Sequence, residues 1–198
     1  SGAALAVACE ARGQPNRWVV ETIFRHAPVG MCVSQQRVIT ACNEALAAIF
    51  GYQTDQLCGQ SFSILYPSAD EFERTGARIA PILNRQGHYS DERIMKRAGG
   101  ELFWCHVTGR SLERDDPHAS GIWTFEDLAS RRPVTAELSA REREVAALLV
   151  DGLTSKEIAR QLDLSPRTVE MHRARLMKKF SAGTSSELVN RLLGGLAT

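Results

Sequence analysis

The sequence predicts an α+β N-terminal unit followed by a small all-α unit of four helices in helix-turn-helix order. Three observations carry this. In the first two thirds, two short strand-like runs and several small helical segments precede three longer strands. From Leu138 to Leu193, four helix-start signals follow one another. The third of those helices carries basic residues on the side away from its apolar stripe.

The N-terminal elements run in order. Gly30-Met31-Cys32-Val33 and Arg37-Val38-Ile39-Thr40 are short strands around a polar turn. Asn43 caps a helix that reaches Phe50 and stops at Gly51. Leu57 to Tyr66 reads as short helical turns ended by Pro67. Ser68 to Asn84 suits a helix, weakened by Gly76 and Pro81. His88 to Lys96, Leu102 to Leu112 and Gly121 to Phe125 alternate as strands, and Gly99-Gly100 makes the hairpin turn between the first two.

In the last third, Ser139 and Glu142 form a capping box, and Val145, Leu148 and Leu149 give the helix behind it a core face. Gly152 suits its C-terminal end. Thr154 and Glu157 form a second box ahead of Ile158, Ala159 and Leu162. Asp163-Leu164 leaves a very short turn into Ser165-Pro166, where Ser165 caps and Pro166 takes the first helical position. Two helices joined so tightly cross steeply. At about 100° per residue, Val169, His172, Leu176 and Phe180 share one stripe. Arg167, Glu170, Met171, Ala174 and Lys178 lie opposite, flanked by Arg175 and Lys179, within reach of phosphates. Thr184 and Glu187 open a fourth helix, which runs through Leu188, Val189, Leu192 and Leu193 to Gly194-Gly195.

The run LSAREREVAALLVDGLTSKEIARQLDLSPRTVEMHRARLMKKF resembles the DNA-binding domain of LuxR/FixJ-type transcription factors. The resemblance implies a four-helix domain that binds DNA as a dimer. Its third helix enters the major groove, and its fourth, through Leu188, Val189, Leu192 and Leu193, makes much of the dimer contact. Carried over by position, Glu170, Met171 and Ala174 lie nearest base edges. Arg167, Thr168, His172, Arg173, Arg175, Lys178 and Lys179 contact phosphates or support the helix. Thr154, Ser155, Lys156 and Ser165, at the starts of the second and third helices, complete the DNA-binding set. Many relatives have a basic residue where this chain has Glu170; a carboxylate there accepts from a cytosine amino group or discourages other contacts.

The segments APVGMCVSQQRVITACNEALAAIFGY, LCGQSF, GGELFWCHVTGRSL and FEDLASRR resemble a PAS domain. This implies a five-stranded antiparallel sheet with helices on one face around a small pocket. Glu126-Asp127-Leu128 resembles the acidic exit motif that ends such domains. The expected organisation is an N-terminal extension over residues 1–17, a PAS-like sensor domain over 18–128, a linker over 129–137 and the helix-turn-helix domain over 138–198.

The cofactor is left open by the residues. A photoactive flavin subgroup carries a reactive thiol where this chain has Phe62, and the helix of Ser68 to Asn84 offers no haem-ligating His. His88 reads as a strand-start residue. The five His and five Cys lack zinc-ligand spacing. Cys105 and His106, as strand neighbours, point to opposite faces. Cys32, Cys42 and Cys105 are candidates to converge, as buried small hydrophobes or as a redox group. Of Phe103, Trp104, Trp123 and Phe125, one member of each close pair faces inward, to fill a core or to line a pocket for a small organic ligand. The pocket set read from the sequence is Trp104 and Trp123, with His106 or Arg110 as polar handle.

The 198 residues are 43 % hydrophobic and 24 % charged, with a net charge of +1, so no global field draws the chain to nucleic acid or membrane. From Pro133 onward, 10 Lys and Arg face 8 Asp and Glu, so the basic surplus is local to the last third. No apolar run is long enough to span a membrane, and Ser1 to Cys9 lack the basic start of a signal peptide. An odd cysteine count without C-x-x-C argues against a disulfide framework and fits a cytoplasmic protein. Phosphate loops, nucleophile elbows and H-E-x-x-H are missing, as is the alternating pattern of a phosphoacceptor receiver, so no enzyme is read. The expected function is a one-component transcriptional regulator. Its partners are double-stranded DNA and a second copy of the chain, with a small-molecule ligand and RNA polymerase beside them. The alternative is a PAS-type adaptor whose C-terminal bundle docks a partner protein.

Overall fold

The computed structural model describes residues 16–113, 116–131, 134 and 137–194. The chain opens with helix α1 (Arg17–His26), which the sequence reading left within an extension and the domain start. Asn16 caps it, accepting from the Trp18 N–H, and Arg25 and His26 sit in its last turn, where the helix dipole favours cations. None of its residues is buried. Then follow β1 (Gly30–Gln35), β2 (Val38–Cys42), α2 (Glu44–Phe50), α3 (Thr54–Leu57), a 3-10 turn (Phe62–Leu65) and α4 (Ala69–Gln86). Strands β3 (His88–Lys96), β4 (Leu102–Ser111) and β5 (Ser120–Asp127) complete an antiparallel five-stranded sheet in the order β2-β1-β5-β4-β3.

Pro81 does not break α4, which runs unbroken to Gln86. Pro81 and Ala77 are both exposed, so the Ala77 carbonyl left without its helical partner faces water. Strand alternation sends Tyr89, Asp91, Arg93 and Met95 of β3, Phe103, Cys105, Val107 and Gly109 of β4, and Trp123 and Phe125 of β5 toward the helices. Phe50 of α2 stands edge-on to Phe103 and Phe125, with centroids 5.4 and 5.6 Å away.

The C-terminal domain has the four expected helices: α5 (Ala140–Val150), α6 (Ser155–Leu162), α7 (Pro166–Lys179) and α8 (Ser185–Leu192). Ser139, Thr154, Ser165 and Thr184 each cap one of them by accepting an N–H three residues on. The turn between α6 and α7 holds Asp163 at φ 52°, its N–H bonded to the Ala159 carbonyl. The two domains share a core. Ile94 and Trp104, on the outer sheet face, cluster with Leu128, Leu138, Val145, Leu148 and Leu149, and α5 packs on β3. Part of the expected linker, and the glycine at 195, lie outside the described residues. Among the described residues, no helix is long and apolar enough to cross a membrane.

Candidate DNA-recognition face and ligand cavity

Helix α7 buries Val169, His172 and Leu176 and exposes Arg167, Glu170, Met171, Ala174, Arg175 and Lys178. The exposed set covers the side opposite the core. Met171, at 44 % exposure, is a large apolar side chain in the middle of a basic surface. Ser165 and Thr168 bond to each other through their hydroxyls at 2.8 Å at the helix start. Lys156 and Thr154 are exposed at the start of α6, Thr154 bonded to Glu157. His172 is a packing residue: burial first, then Arg175, lowers its pKa and keeps the imidazole neutral.

Arg173, Ser155 and Lys179 of the expected DNA-facing set are tied to other elements of the chain. Arg173 donates to Ser155 and Ser185 and pairs with Glu170 at 3.3 Å, so it ties α6, α7 and α8 together. Ser155, as its acceptor, is half-buried. Lys179 lies 2.7 Å from the buried Glu142 carboxylate and donates to the Glu137 carbonyl. The dimer set is corrected in part. Leu188 and Leu192 are 1 % and 2 % exposed and close the domain's own core, because a helix this short has one apolar stripe and the bundle takes it. Val189 is half-buried and Leu193 exposed.

The sensor domain encloses a cavity between sheet and helices, lined by Ser34, Arg37, Phe62, Tyr66, Phe72, Gly76, Ile79, Arg93, Met95, Val107, Pro117, His118, Trp123 and Phe125. Its space is about 490 Å³, counting the gaps between lining atoms and the open solvent at its mouth, so the room for a bound molecule is much smaller. Of the expected pocket residues, Trp123 lines it. Trp104, His106 and Arg110 do not, since they occupy the alternate positions of β4 and face the other side of the sheet. There Trp104 joins the shared core, His106 bonds to Ser90 at 2.8 Å and Arg110 is exposed.

The polar groups at the cavity went unread in the sequence. Arg37 lies over the Phe72 ring, 3.5 Å from its centroid, and donates to the Phe72 carbonyl and to Glu73. Arg93 is buried. It donates to Asp91 and to the Tyr66 hydroxyl at 2.7 Å, and Asp91 also accepts from Tyr89 and Arg78. The indole N–H of Trp123 donates to Ser34 at 3.0 Å. Burial, then Arg37, lowers the pKa of His118. Arg93 and Tyr66 also line a cleft against Arg143, Glu144 and Leu148 of α5, so one ionic network touches both the cavity and the second domain. The three cysteines expected to meet do not. Cys32 and Cys42 are cross-strand partners, but Cys105 lies on β4 beside Arg93, and the third thiol near Cys42 is Cys58. Among the described residues, no group of three or more His, Cys, Asp or Glu could hold a metal ion.

Comparison with known proteins finds matches to both domains. Residues 28–130 match the PAS domain family, and residues 136–192 match the luxR family of bacterial regulatory proteins. A PAS domain from a LuxR-family transcriptional regulator of Burkholderia thailandensis is 60 % identical, with a TM-score of 0.54 over 55 % of this chain and 96 % of that one. The transcriptional regulatory protein FixJ of Rhizobium meliloti is 52 % identical over 86 residues, 43 % of this chain and 42 % of its own length. The VqmA dimer of Vibrio cholerae, 20 % identical, shares the fold with a TM-score of 0.54 over 92 % of this chain and 91 % of that one. The chain spans less than half the length of the curated relatives it matches. The luxR family is one of bacterial regulatory proteins. The chain belongs to the PAS domain family and, through residues 136–192, to the luxR family of bacterial regulatory proteins.

Proposed function

We propose that this chain is a one-component transcription factor. Its PAS cavity takes a small organic molecule, and its C-terminal domain binds DNA sequence-specifically, as a dimer, with α7 in the major groove. The observation that carries this is the two-sided burial of α7: core residues on one side, and Arg167, Glu170, Met171, Ala174, Arg175 and Lys178 exposed on the other. Met171 suits apolar contact with a thymine methyl, and Arg167, Arg175 and Lys178 suit phosphates. A regulator of this kind works in the cytoplasm, beside RNA polymerase.

Two surfaces support the dimer. Helix α1 leaves Trp18, Val20 and Ile23 exposed among the described residues. On α8, Ser186, Asn190 and Leu193 form the outward stripe at i, i+4 and i+7, and this stripe takes the contact first expected of Leu188 and Leu192. Two half-sites about one helical turn apart then bind together. For the ligand, the PAS domain from B. thailandensis is described in complex with ethanol, which supports a molecule of few atoms in a cavity with an aromatic body and a few polar groups.

Anisotropy titration against duplexes selected from a random pool tests the reading. Affinity is expected to fall steeply with salt, and Met171→Ala is expected to change which duplexes are preferred. An affinity for DNA that is insensitive to salt, or no affinity at all, would favour the protein adaptor instead.

A further inference from the structure

Cys42 closes β2 and Cys58 follows α3, and their sulfurs lie 3.9 Å apart. Cys42 Sγ also meets the Thr54 carbonyl at 3.6 Å. The backbone on both sides is held. Cys42 pairs with Cys32 across the strands, the Cys58 N–H bonds to the Thr54 carbonyl, and the Gly59 N–H bonds to the Ile39 carbonyl at 2.7 Å. The fold therefore sets the nearness of the two thiols. A disulfide needs sulfurs about 2.05 Å apart, so each has about 1 Å to travel, which side-chain rotation supplies. Cys58 is exposed, and Cys42, half-buried, borders an open cleft with Glu21, Phe24 and Arg25 of α1. Oxidant reaches the pair from solvent.

We propose that Cys42 and Cys58 form a dithiol–disulfide pair that responds to hydrogen peroxide. The Cys58 thiolate attacks one peroxide oxygen. An S–O bond forms, the O–O bond breaks, and the departing hydroxide takes a proton to become water. The Cys42 sulfur then attacks the sulfenic sulfur of Cys58. The S–S bond forms, the S–O bond breaks, and the proton from Cys42 leaves with the hydroxyl as a second water. Two thiols lose two electrons and two protons in all, and the peroxide gains both. Burial, then the neighbouring Cys58, pushes the Cys42 thiol up to about 12, so Cys42 keeps its proton until it attacks and takes the resolving part. Cys32 behind it is wholly buried, and burial raises its pKa further still.

The bridge would act on the cavity. Phe62, four residues after Cys58, lines it. The Phe62 N–H bonds to the Arg37 carbonyl, and Ser61 bridges to Val38. Tying Cys58 to the end of β2 fixes that wall.

The test uses the full chain, treated with hydrogen peroxide and then with a thiol-blocking reagent. Cleavage after Glu residues separates the two cysteines at Glu44. The expected product is a Cys42–Cys58 peptide pair lighter by two hydrogens, reversed by dithiothreitol, retained in Cys32→Ser and lost in Cys58→Ser. Thiol titration should show two of the five thiols disappearing in the parent chain and none in Cys58→Ser. Conversion of Cys58 to a sulfinic acid while Cys42 stays free, or a bridge from either cysteine to Cys32, Cys9 or a second chain in its place, would overturn the proposal.

Discussion

The Lys179 ammonium, at the end of the DNA-facing helix, lies 2.7 Å from the carboxylate of Glu142 on α5. Burial works against the Glu142 charge, but Lys179 and the Ser139 N–H hold the carboxyl below its usual range. Lys178, one residue earlier, is exposed on the other side. Adjacent lysines thus have separate tasks. Lys178→Ala is expected to reduce the salt slope of DNA binding by roughly 0.9 and to leave stability within about 0.5 kcal/mol. Lys179→Ala is expected to cost about 1–3 kcal/mol, because it leaves a buried carboxylate short of its partner. Urea denaturation and anisotropy across salt concentrations separate the two; identical slopes with identical stabilities would contradict the assignment.

The domains are clamped by ions as well as by apolar packing. Arg143 of α5 meets both oxygens of Glu71 on α4, at 3.0 and 2.5 Å, and Arg74 meets Glu144 at 2.8 Å. Both carboxylates are largely shielded from water, so neither pair is screened like a surface bridge. A double-mutant cycle on Glu71→Ala and Arg143→Ala is expected to give a coupling of about 1–3 kcal/mol. Trp104→Ala, which empties the shared core, is expected to cost roughly 3–5 kcal/mol and to split one unfolding transition into two. A coupling near zero together with two separate transitions already in the parent chain would mean that the domains stand apart in solution.

Helix ends were legible because caps act over three residues. Asn43, Ser68, Ser139, Thr154, Ser165 and Thr184 each accept the N–H their sequence position offers. Helix α1 escaped notice although Asn16 and Arg25-His26 mark its ends, because its apolar residues are only half-buried or exposed and trace no clear core stripe. Alternation holds for Phe103 and Trp104, which face opposite ways, but Trp123 and Phe125, two residues apart on one strand, both face inward, against the expectation that one of them would. Trp123 sits opposite Gly109, and a Cβ there would fall 2.3 Å from the indole, so only glycine leaves it room. Arg37 and Arg93 were unreadable as cavity residues because Arg37 meets Phe72 and Glu73, 35 and 36 residues on, and Arg93 meets Tyr66, 27 residues back. Leu188 and Leu192 formed an apolar stripe equally suited to a core or a dimer, and only the packing of α5 against α8 settles its use.

The turn between β1 and β2 carries Gln36 at φ 48° and Arg37 at φ 63°, a two-residue hairpin loop with both residues left-handed. Such a conformation costs non-glycine residues on the order of 1 kcal/mol or more each. The Arg37 contacts over Phe72 and Glu73 offset it. A Cβ on Gly76 would meet the Arg37 guanidinium at 2.5 Å, so the glycine in α4 exists to admit that group. Ala is better than Gly in a helix by about 1 kcal/mol. In an Arg37→Gly background, Gly76→Ala is therefore expected to stabilise by up to about 1 kcal/mol, whereas with Arg37 present the displaced contacts cancel or reverse the gain. Thermal melts of the four proteins decide; the same gain in both backgrounds would show that Arg37 does not constrain Gly76.

Asp151 ends α5 in a groove that it shares with Ser90, Asp91, Glu92 and His106 of the sheet. Burial, then the Asp91 charge, pushes its carboxyl from 3.8 up to about 6; Glu92 adds to this, and Arg78 and Arg93 oppose it. The negative end of α5 disfavours the ionised form too. In the unfolded chain the carboxyl ionises near 3.8 and in the folded chain only near 6, so across that window the folded state holds the extra proton. Stability is therefore lost as pH rises from about 4 to about 6 and levels off above about 7. Asp151→Asn removes the charge without changing the shape. The variant is expected to match the parent below pH of about 4 and to exceed it at pH of about 7.5, where the parent carries a carboxylate facing Asp91 and Glu92. The comparison is of the difference between the two urea-denaturation profiles rather than of either alone, which cancels titrations common to both proteins. A difference that stays flat from pH of about 4 to 8 would show that the end of α5 does not sit against β3 in solution.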